Sequence, residues 1–315
     1  MLENFIFSIS IAMPIFFVMC IGYFLKRKEV INEEFIKTAN FIIFNVALPI
    51  KLFNDVSKTS FGEYFDAKFI AFTMVGTITS VLIIWIIASL FIKDKTQVGA
   101  FIHGSFRGNF LYIGLTLMEN ITGSIGIKAP LIIAIIIPLY NILAIIILTY
   151  TDQSRSSKIS FKDTILSIGK NPLIKAILLG IIFSLTGLEL PMIATRTMSY
   201  FGSLVTPLAL ITIGASFNFM NISRNLKPAI IASIIKLFFM PVIVVFFTMA
   251  MNFSNEDVLL IYLLFGVPSA TVSYIMTAAM NGDKDLAANI IMITTILSTI
   301  SMTIFIFVFK TIGII

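Results

Sequence analysis

Charged side chains are scarce in this chain. They make up 12% of its 315 residues, while 58% are hydrophobic; a soluble globular domain carries roughly 25% charged residues. A water-soluble fold of this length has too little interior to hide that much apolar surface, so the surrounding solvent must itself be largely apolar. A single cysteine, Cys20, excludes an internal disulfide. A single histidine, His103, and the lack of an acid well inside any apolar run leave a hydrolase without a base and a metal without enough ligands. His103 and Ser105 are two residues apart and project from different helix faces, so they make no Ser–His pair. No GxxxxGK[ST] phosphate loop is present, and no loop is long enough for a nucleotide domain. Strands of a membrane barrel would alternate polar and apolar residues, and no run does. The filter loop of a small, repeated channel subunit is missing as well.

The chain is instead rich in long apolar runs, such as Ile132 to Thr149, broken only by a proline and an asparagine. About 20 such residues, at 1.5 Å each, cross about 30 Å of hydrocarbon. Ten spans are predicted: 5–25, 37–53, 69–92, 98–118, 129–150, 171–188, 198–219, 228–251, 257–280 and 286–309, the second being the shortest and least apolar. The first begins with Glu3 rather than a basic cluster and runs to about Leu25, which favours a retained helix over a cleaved signal. The net charge of +6 sits between the runs, as in membrane-protein loops, and implies no nucleic-acid partner.

Loops after the odd-numbered spans hold 13 of the 22 lysines and arginines, the opposite side holds six, and Arg107, Lys175 and Lys236 lie inside spans. This bias puts the odd-numbered loops in the cytoplasm and both termini outside, as an even number of spans requires. The longest loop, 151–170, is polar and basic and divides the chain into a first five-helix repeat at 1–150 and a second at 171–315. Five helices per half insert the halves upside down relative to each other, the inverted-repeat plan of many secondary transporters. Corresponding spans carry matching interruptions. Span 2 holds FNVALP (Phe44 to Pro49) and span 7 holds Pro207; span 4 holds GSFRGNFLYIG (Gly104 to Gly114) and span 9 holds GVPSATVSYIM (Gly266 to Met276). Gly108 lies ten residues beyond Val98 and Pro268 eleven beyond Asp257. Both are thus about 15 Å deep, approached from opposite faces. Broken, crossing helices at that depth would present free N–H groups to an anion.

Arg107 is the costliest residue to bury there. It either attracts an anion or gates, or it forms a structural ion pair or snorkels to the surface. Asn109 offers a neutral amide to a substrate or to a neighbouring helix. Asn45, Asn141, Gly108, Pro268, Ser269, Thr271 and Ser273 complete the candidate substrate site, with Gly114, Gly266 and Pro268 as candidate helix breaks. Lys236, eight residues into span 8, either carries charge for coupling or snorkels. His103 is a candidate proton shuttle or a structural side chain near the cytoplasmic end of span 4. No cofactor is implied. The coupling ion, H+ or Na+, is left open, since sodium would be held by backbone carbonyls and hydroxyls at the broken helices.

GSFRGNFLYIG, LYNILA (Leu139 to Ala144), PLALITIGASF (Pro207 to Phe217) and PSATVSYIM (Pro268 to Met276), in this order and spacing, resemble the auxin efflux carrier family. That family includes bacterial malate and malonate permeases and the plant PIN auxin exporters. The resemblance implies ten helices in two inverted repeats, with helices 4 and 9 crossing in mid-membrane. It implies a scaffold of helices 1, 2, 6 and 7, a transport domain of helices 3–5 and 8–10, and elevator-like movement of an organic anion in a homodimer. Asn109, Asn141 and Pro268 match its helix 4 asparagine, helix 5 asparagine and helix 9 crossover proline. One departure is Gly114-Leu115-Thr116, where the family has Gly-Leu-Pro or Gly-Ile-Pro; the helix 4 break then lies near Gly108 or near Gly114. The expectation is an all-α, multi-pass cell-membrane carrier of a small organic anion such as a carboxylate, working by alternating access. The alternatives are a sodium-coupled symporter with bile-acid-carrier architecture and, from another class, a membrane enzyme or receptor.

Overall fold

A computed structural model describes residue 14 and residues 17–58, 66–123, 128–152, 170, 172–216 and 219–315. The start of the first expected span and nearly all of the 151–170 linker lie outside the described residues. Among the described residues the chain is all-helical and has no strand.

Five helices are long and apolar enough to cross a membrane: α1 (Glu33–Ser57), α2 (Ala67–Phe91), α7 (Met192–Ser216), α8 (Asn225–Ala250) and α11 (Lys284–Thr311). Two shorter apolar helices are α5 (Ile137–Thr151) and α6 (Pro172–Leu185). The remaining pieces are halves of interrupted helices: α3 (Lys95–Phe106) with α4 (Leu115–Thr122), and α9 (Asn255–Gly266) with α10 (Thr271–Ala279). Residues 17–27 are also helical.

Polar caps set where these helices begin. Asn32, Asp66, Asp94, Ser254 and Asp283 each accept a backbone N–H from the first turn of α1, α2, α3, α9 and α11. Each satisfies a donor that no helical carbonyl can reach. The caps explain why α1 starts at Glu33 and not at 37: the hydrophobic window excludes Glu33 and Glu34, but those acids favour a helix N-terminus. What looked like the weakest span is therefore 25 residues long.

Four stretches widen into a π-helical turn: Ile43–Ala47, Phe110–Gly114, Ile132–Ile136 and Ile235–Phe239. Three of them run into a helix whose second residue is proline: Pro49, Pro138 and Pro241. A proline ring clashes with the carbonyl four residues back and donates no hydrogen bond to it, and a wider turn relieves both problems. Phe110–Gly114 lacks a following proline; Thr116 stands at that same second position of α4. The departure from the Gly-Leu-Pro pattern therefore falls on a π turn within a continuous helix. Gly114 does not break helix 4.

α1 packs most extensively on α6 and α7. α3 packs on α2, α5 and α11, and α8 packs on α9 and α11. Residues 17–27 approach α7 so closely that a Cβ on Gly22 would collide with the Ile211 backbone, and one on Gly214 with the Met19 backbone. Small residues on both partners let two membrane helices touch backbone to backbone, where dispersion replaces the missing hydrophobic drive.

Candidate functional site

The site is a crossing of two broken helices. α3 stops at Phe106, and Arg107 turns extended (φ −84°, ψ 110°). α9 stops at Gly266, with Val267 (φ −70°, ψ 156°) and Ala270 (φ −72°, ψ 141°) also extended. Pro268 has a fixed φ and no N–H, and it steers Val267 out of the helical region, which favours the end of α9 there. The two extended stretches lie antiparallel, with Gly108 opposite Ser269. The Asn109 N–H donates to the Pro268 carbonyl at 2.8 Å, and the Ala270 N–H to the Arg107 carbonyl at 3.1 Å. Each break thus supplies the hydrogen bonds that the other lost by leaving the helix, as backbone buried away from water demands. α11 helps as well, since the Ser269 N–H donates to Thr294 Oγ1 at 3.2 Å. The Ser269 hydroxyl donates to the Gly104 carbonyl.

Four helix ends meet at this crossing. The carbonyl ends of α3 and α9 converge on Lys236, whose Nζ donates to Phe106 O at 3.1 Å and Phe265 O at 2.9 Å. Lys236 is 1% exposed and does not snorkel. The segments that resume the chain, at Phe110 and at Thr271, point their N-termini back into the same region. Each helix end carries about half a charge, positive at the N-terminus.

Arg107 is 4% exposed. Its Nη1 donates to Asn141 Oδ1 at 2.9 Å and contacts Met276 Sδ at 3.4 Å. Asn141 is held in that orientation because its own amide N–H donates to Ile137 O at 2.9 Å. Among the described residues no carboxylate forms an ion pair with Arg107 or Lys236. Asn109, 6% exposed, makes no side-chain hydrogen bond among the described residues. The buried Ser273 Oγ and Thr277 Oγ1 likewise have no partner there. Polar groups left this way in a protein interior are normally satisfied by water or ligand.

The structure thus brings together Arg107, Gly108, Asn109, Asn141, Pro268, Ser269 and Lys236, with Thr271 and Ser273 on the first turn of α10. Gly266 closes α9 at the break. One residue sits differently from expectation. Asn45 is exposed on α1, in the π turn Ile43–Ala47, and donates its amide to Phe41 O at 3.0 Å. His103 lies in the last turn of α3, fully buried and stacked on Phe106 (ring centroids 5.7 Å). Neither of its nitrogens has a partner among the described residues. Met276 and Thr294 were missed by sequence reasoning: a thioether and a threonine inside apolar helices give no sequence signal of their neighbours.

A second polar cluster ties together the starts of α2 and α9. Lys128 Nζ sits 2.6 Å from Asp66 Oδ2 and 2.9 Å from Asp257 Oδ2. Burial pushes the Lys128 ammonium down, but the hydrogen bonds and charges of Asp257 and Asp66 outweigh it and hold it above its ordinary value. The hydrogen bond from Lys128, with one from the Phe69 N–H, holds the Asp66 carboxyl below its ordinary value. The lowered Asp66 stabilises the fold above about pH 3.9, a contribution lost as pH falls through its folded value. The raised Lys128 stabilises it below about pH 10.4, a contribution lost as pH rises through its folded value. The cluster is intact between those limits. Lys128→Met is expected to lower the melting temperature at pH 7 by about 2–4 °C, as a change near 1 kcal/mol does. That deficit should shrink on acidification below pH 4, as followed by differential scanning fluorimetry in detergent.

A family model described as membrane transport protein matches residues 7–306. An uncharacterized transporter of Methanothermobacter thermautotrophicus is 23% identical over 296 residues, covering 94% of this chain and 96% of the relative. The uncharacterized transporter YfdV of Escherichia coli K12 is 24% identical over 286 residues, covering 87% of this chain and 89% of the relative. An uncharacterized transporter of Methanocaldococcus jannaschii is 23% identical over 296 residues, covering 92% of this chain and 94% of the relative. These similarities point to a transport protein and not to an enzyme.

Proposed function

Because the chain belongs to the membrane transport protein family, the auxin efflux carrier family of its motifs, we propose that it is a secondary active carrier of a small organic anion such as a carboxylate, working by alternating access. The observation that carries this reading is the buried Arg107, which pairs with no carboxylate among the described residues, beside Asn109, whose amide makes no side-chain hydrogen bond among them, at the crossing of two broken helices. Two half-helix N-termini supply about one positive charge between them, and the guanidinium adds another. A dicarboxylate such as malate or malonate matches that total. Asn141 bonds the guanidinium, and Asn109, Ser269, Thr271 and Ser273 add amides and hydroxyls at the two breaks.

Access fits the same reading. Arg107 and Asn109 are 4% and 6% exposed, so an anion reaches them only when helices move. The packing of α1 with α6 and α7, apart from that of α3 with α2, α5 and α11, supports a scaffold and a moving transport domain. In this reading the chain spans the cell membrane ten times as two inverted five-helix repeats, 1–150 and 171–315, joined by the cytoplasmic linker 151–170. Both termini lie outside, and two copies form the working dimer.

Purified protein in liposomes tests the proposal. Uptake of radiolabelled malate or malonate should saturate, and Asn109→Ala should raise KM or abolish uptake. Saturable uptake of either anion that is unchanged in Asn109→Ala would sink the site assignment.

A further inference from the structure

Two helices that end inside a membrane leave their last carbonyls and the negative ends of their dipoles without water. At this crossing both problems occur together, because α3 and α9 finish side by side at Phe106 and Gly266. Two half-charges make about one negative charge. No alkali-metal ion is needed to neutralise it, since the Lys236 ammonium already touches both ends, at Phe106 O and Phe265 O. The seat is built around that ammonium. Lys236 lies in the π turn Ile235–Phe239, which widens ahead of Pro241. Gly108 leaves room for it, because a Cβ there would stand 3.0 Å from Nζ. Among the described residues no carboxylate competes for the charge.

Converging half-helix C-termini are where transporters of broken-helix design hold a coupling cation. We propose that the Lys236 ammonium is a tethered cation permanently seated in a monovalent-cation site at the helix crossing. The intact protein therefore binds no free sodium there, and removing the ammonium creates a site for a small alkali-metal or primary alkylammonium ion. Lys236 is a positioning residue: it holds the two breaks in register, and through them Arg107 and Asn109. The inference rests on reading the crossing as the centre of a carrier, but its test needs no substrate.

The test uses the full chain purified in detergent, with melting temperature and equilibrium binding of radioactive sodium as readouts. Wild-type protein should melt at one temperature in sodium, lithium and choline chloride at equal ionic strength, and should bind no sodium saturably. Lys236→Ala should melt about 5 °C or more lower in choline, a loss on the scale of several kcal/mol spread over a chain this long. Sodium, lithium or ethylammonium should restore most of that loss, and saturable sodium binding should appear. Lys236→Arg keeps the charge and should remain indifferent to the cation. Lys236→Met fills the seat without charge and should be destabilised in every salt, which separates lost charge from lost packing. Saturable sodium binding to wild type, cation indifference of a folded Lys236→Ala, or a Lys236→Met as stable as wild type would each overturn the proposal. The wild-type and Lys236→Met arms decide it even when Lys236→Ala cannot be purified. If anion uptake fails while these results hold, the transported substrate is wrong and the tethered cation stands. If uptake succeeds while they fail, Lys236 is the error.

Discussion

Arg107→Gln is expected to lower kcat/KM for anion uptake into proteoliposomes by about 10- to 150-fold, since a hydrogen bond to a charged group contributes about 1.5–3 kcal/mol. Glutamine keeps polar contacts with Asn141 and removes only the charge, so the change reports electrostatics rather than packing. The guanidinium bonds to a neutral amide at 2.9 Å and to a thioether at 3.4 Å. Neither neutralises it. A buried cation with such weak partners is costly unless an anion arrives for part of the transport cycle. Folding should survive the substitution, and the melting temperature should hold or rise, because the unpaired charge is gone. Together the two measurements separate a substrate arginine from a structural one. A structural ion pair would show the reverse pattern, with stability falling and uptake in the surviving protein near normal.

The parts of this site that were legible in the sequence are those with local causes. Pro268, beside Gly266, marks one helix break, and Gly108 next to an arginine in an apolar run marks a second. Contacts that depend on how a helix is rotated about its axis were not legible. Lys236 could be placed only as eight residues into a span. That its head reaches two carbonyls on two other helices follows from a π turn and from the mutual approach of α3, α8 and α9. His103 was legible as a residue early in span 4, but not its burial against Phe106 in the last turn of α3, which depends on where that helix ends. Thr116 is the most instructive case. The absent proline pointed to an altered helix break, but prolines at 49, 138 and 241 follow π turns inside continuous helices, and Thr116 occupies the corresponding place.

Gly108→Ala is expected to damage the helix crossing and uptake together, because the crossing leaves no space at that position. The added Cβ would lie 2.9 Å from Val267 Cγ2, 3.0 Å from the Leu264 carbonyl oxygen and 3.0 Å from Lys236 Nζ. The valine can turn, but the carbonyl belongs to α9 and the ammonium is held by two hydrogen bonds. The strain must therefore open the pairing of Arg107–Asn109 with Pro268–Ala270. Overpacking of this kind costs about 1–3 kcal/mol. The melting temperature should fall by several degrees, and uptake should fall more than 10-fold at temperatures where the protein is still folded, since Arg107 and Asn109 flank the displaced residue. Gly104→Ala is the matched control. It lies one turn earlier on the same half-helix, and its closest neighbours, at 2.9 and 3.0 Å, are both atoms of the Ile290 side chain rather than backbone. A small loss of stability with nearly normal uptake is expected there. Equal effects at the two glycines would mean that α3 tolerates no added volume anywhere, and the crossing would lose its claim to be the sensitive point.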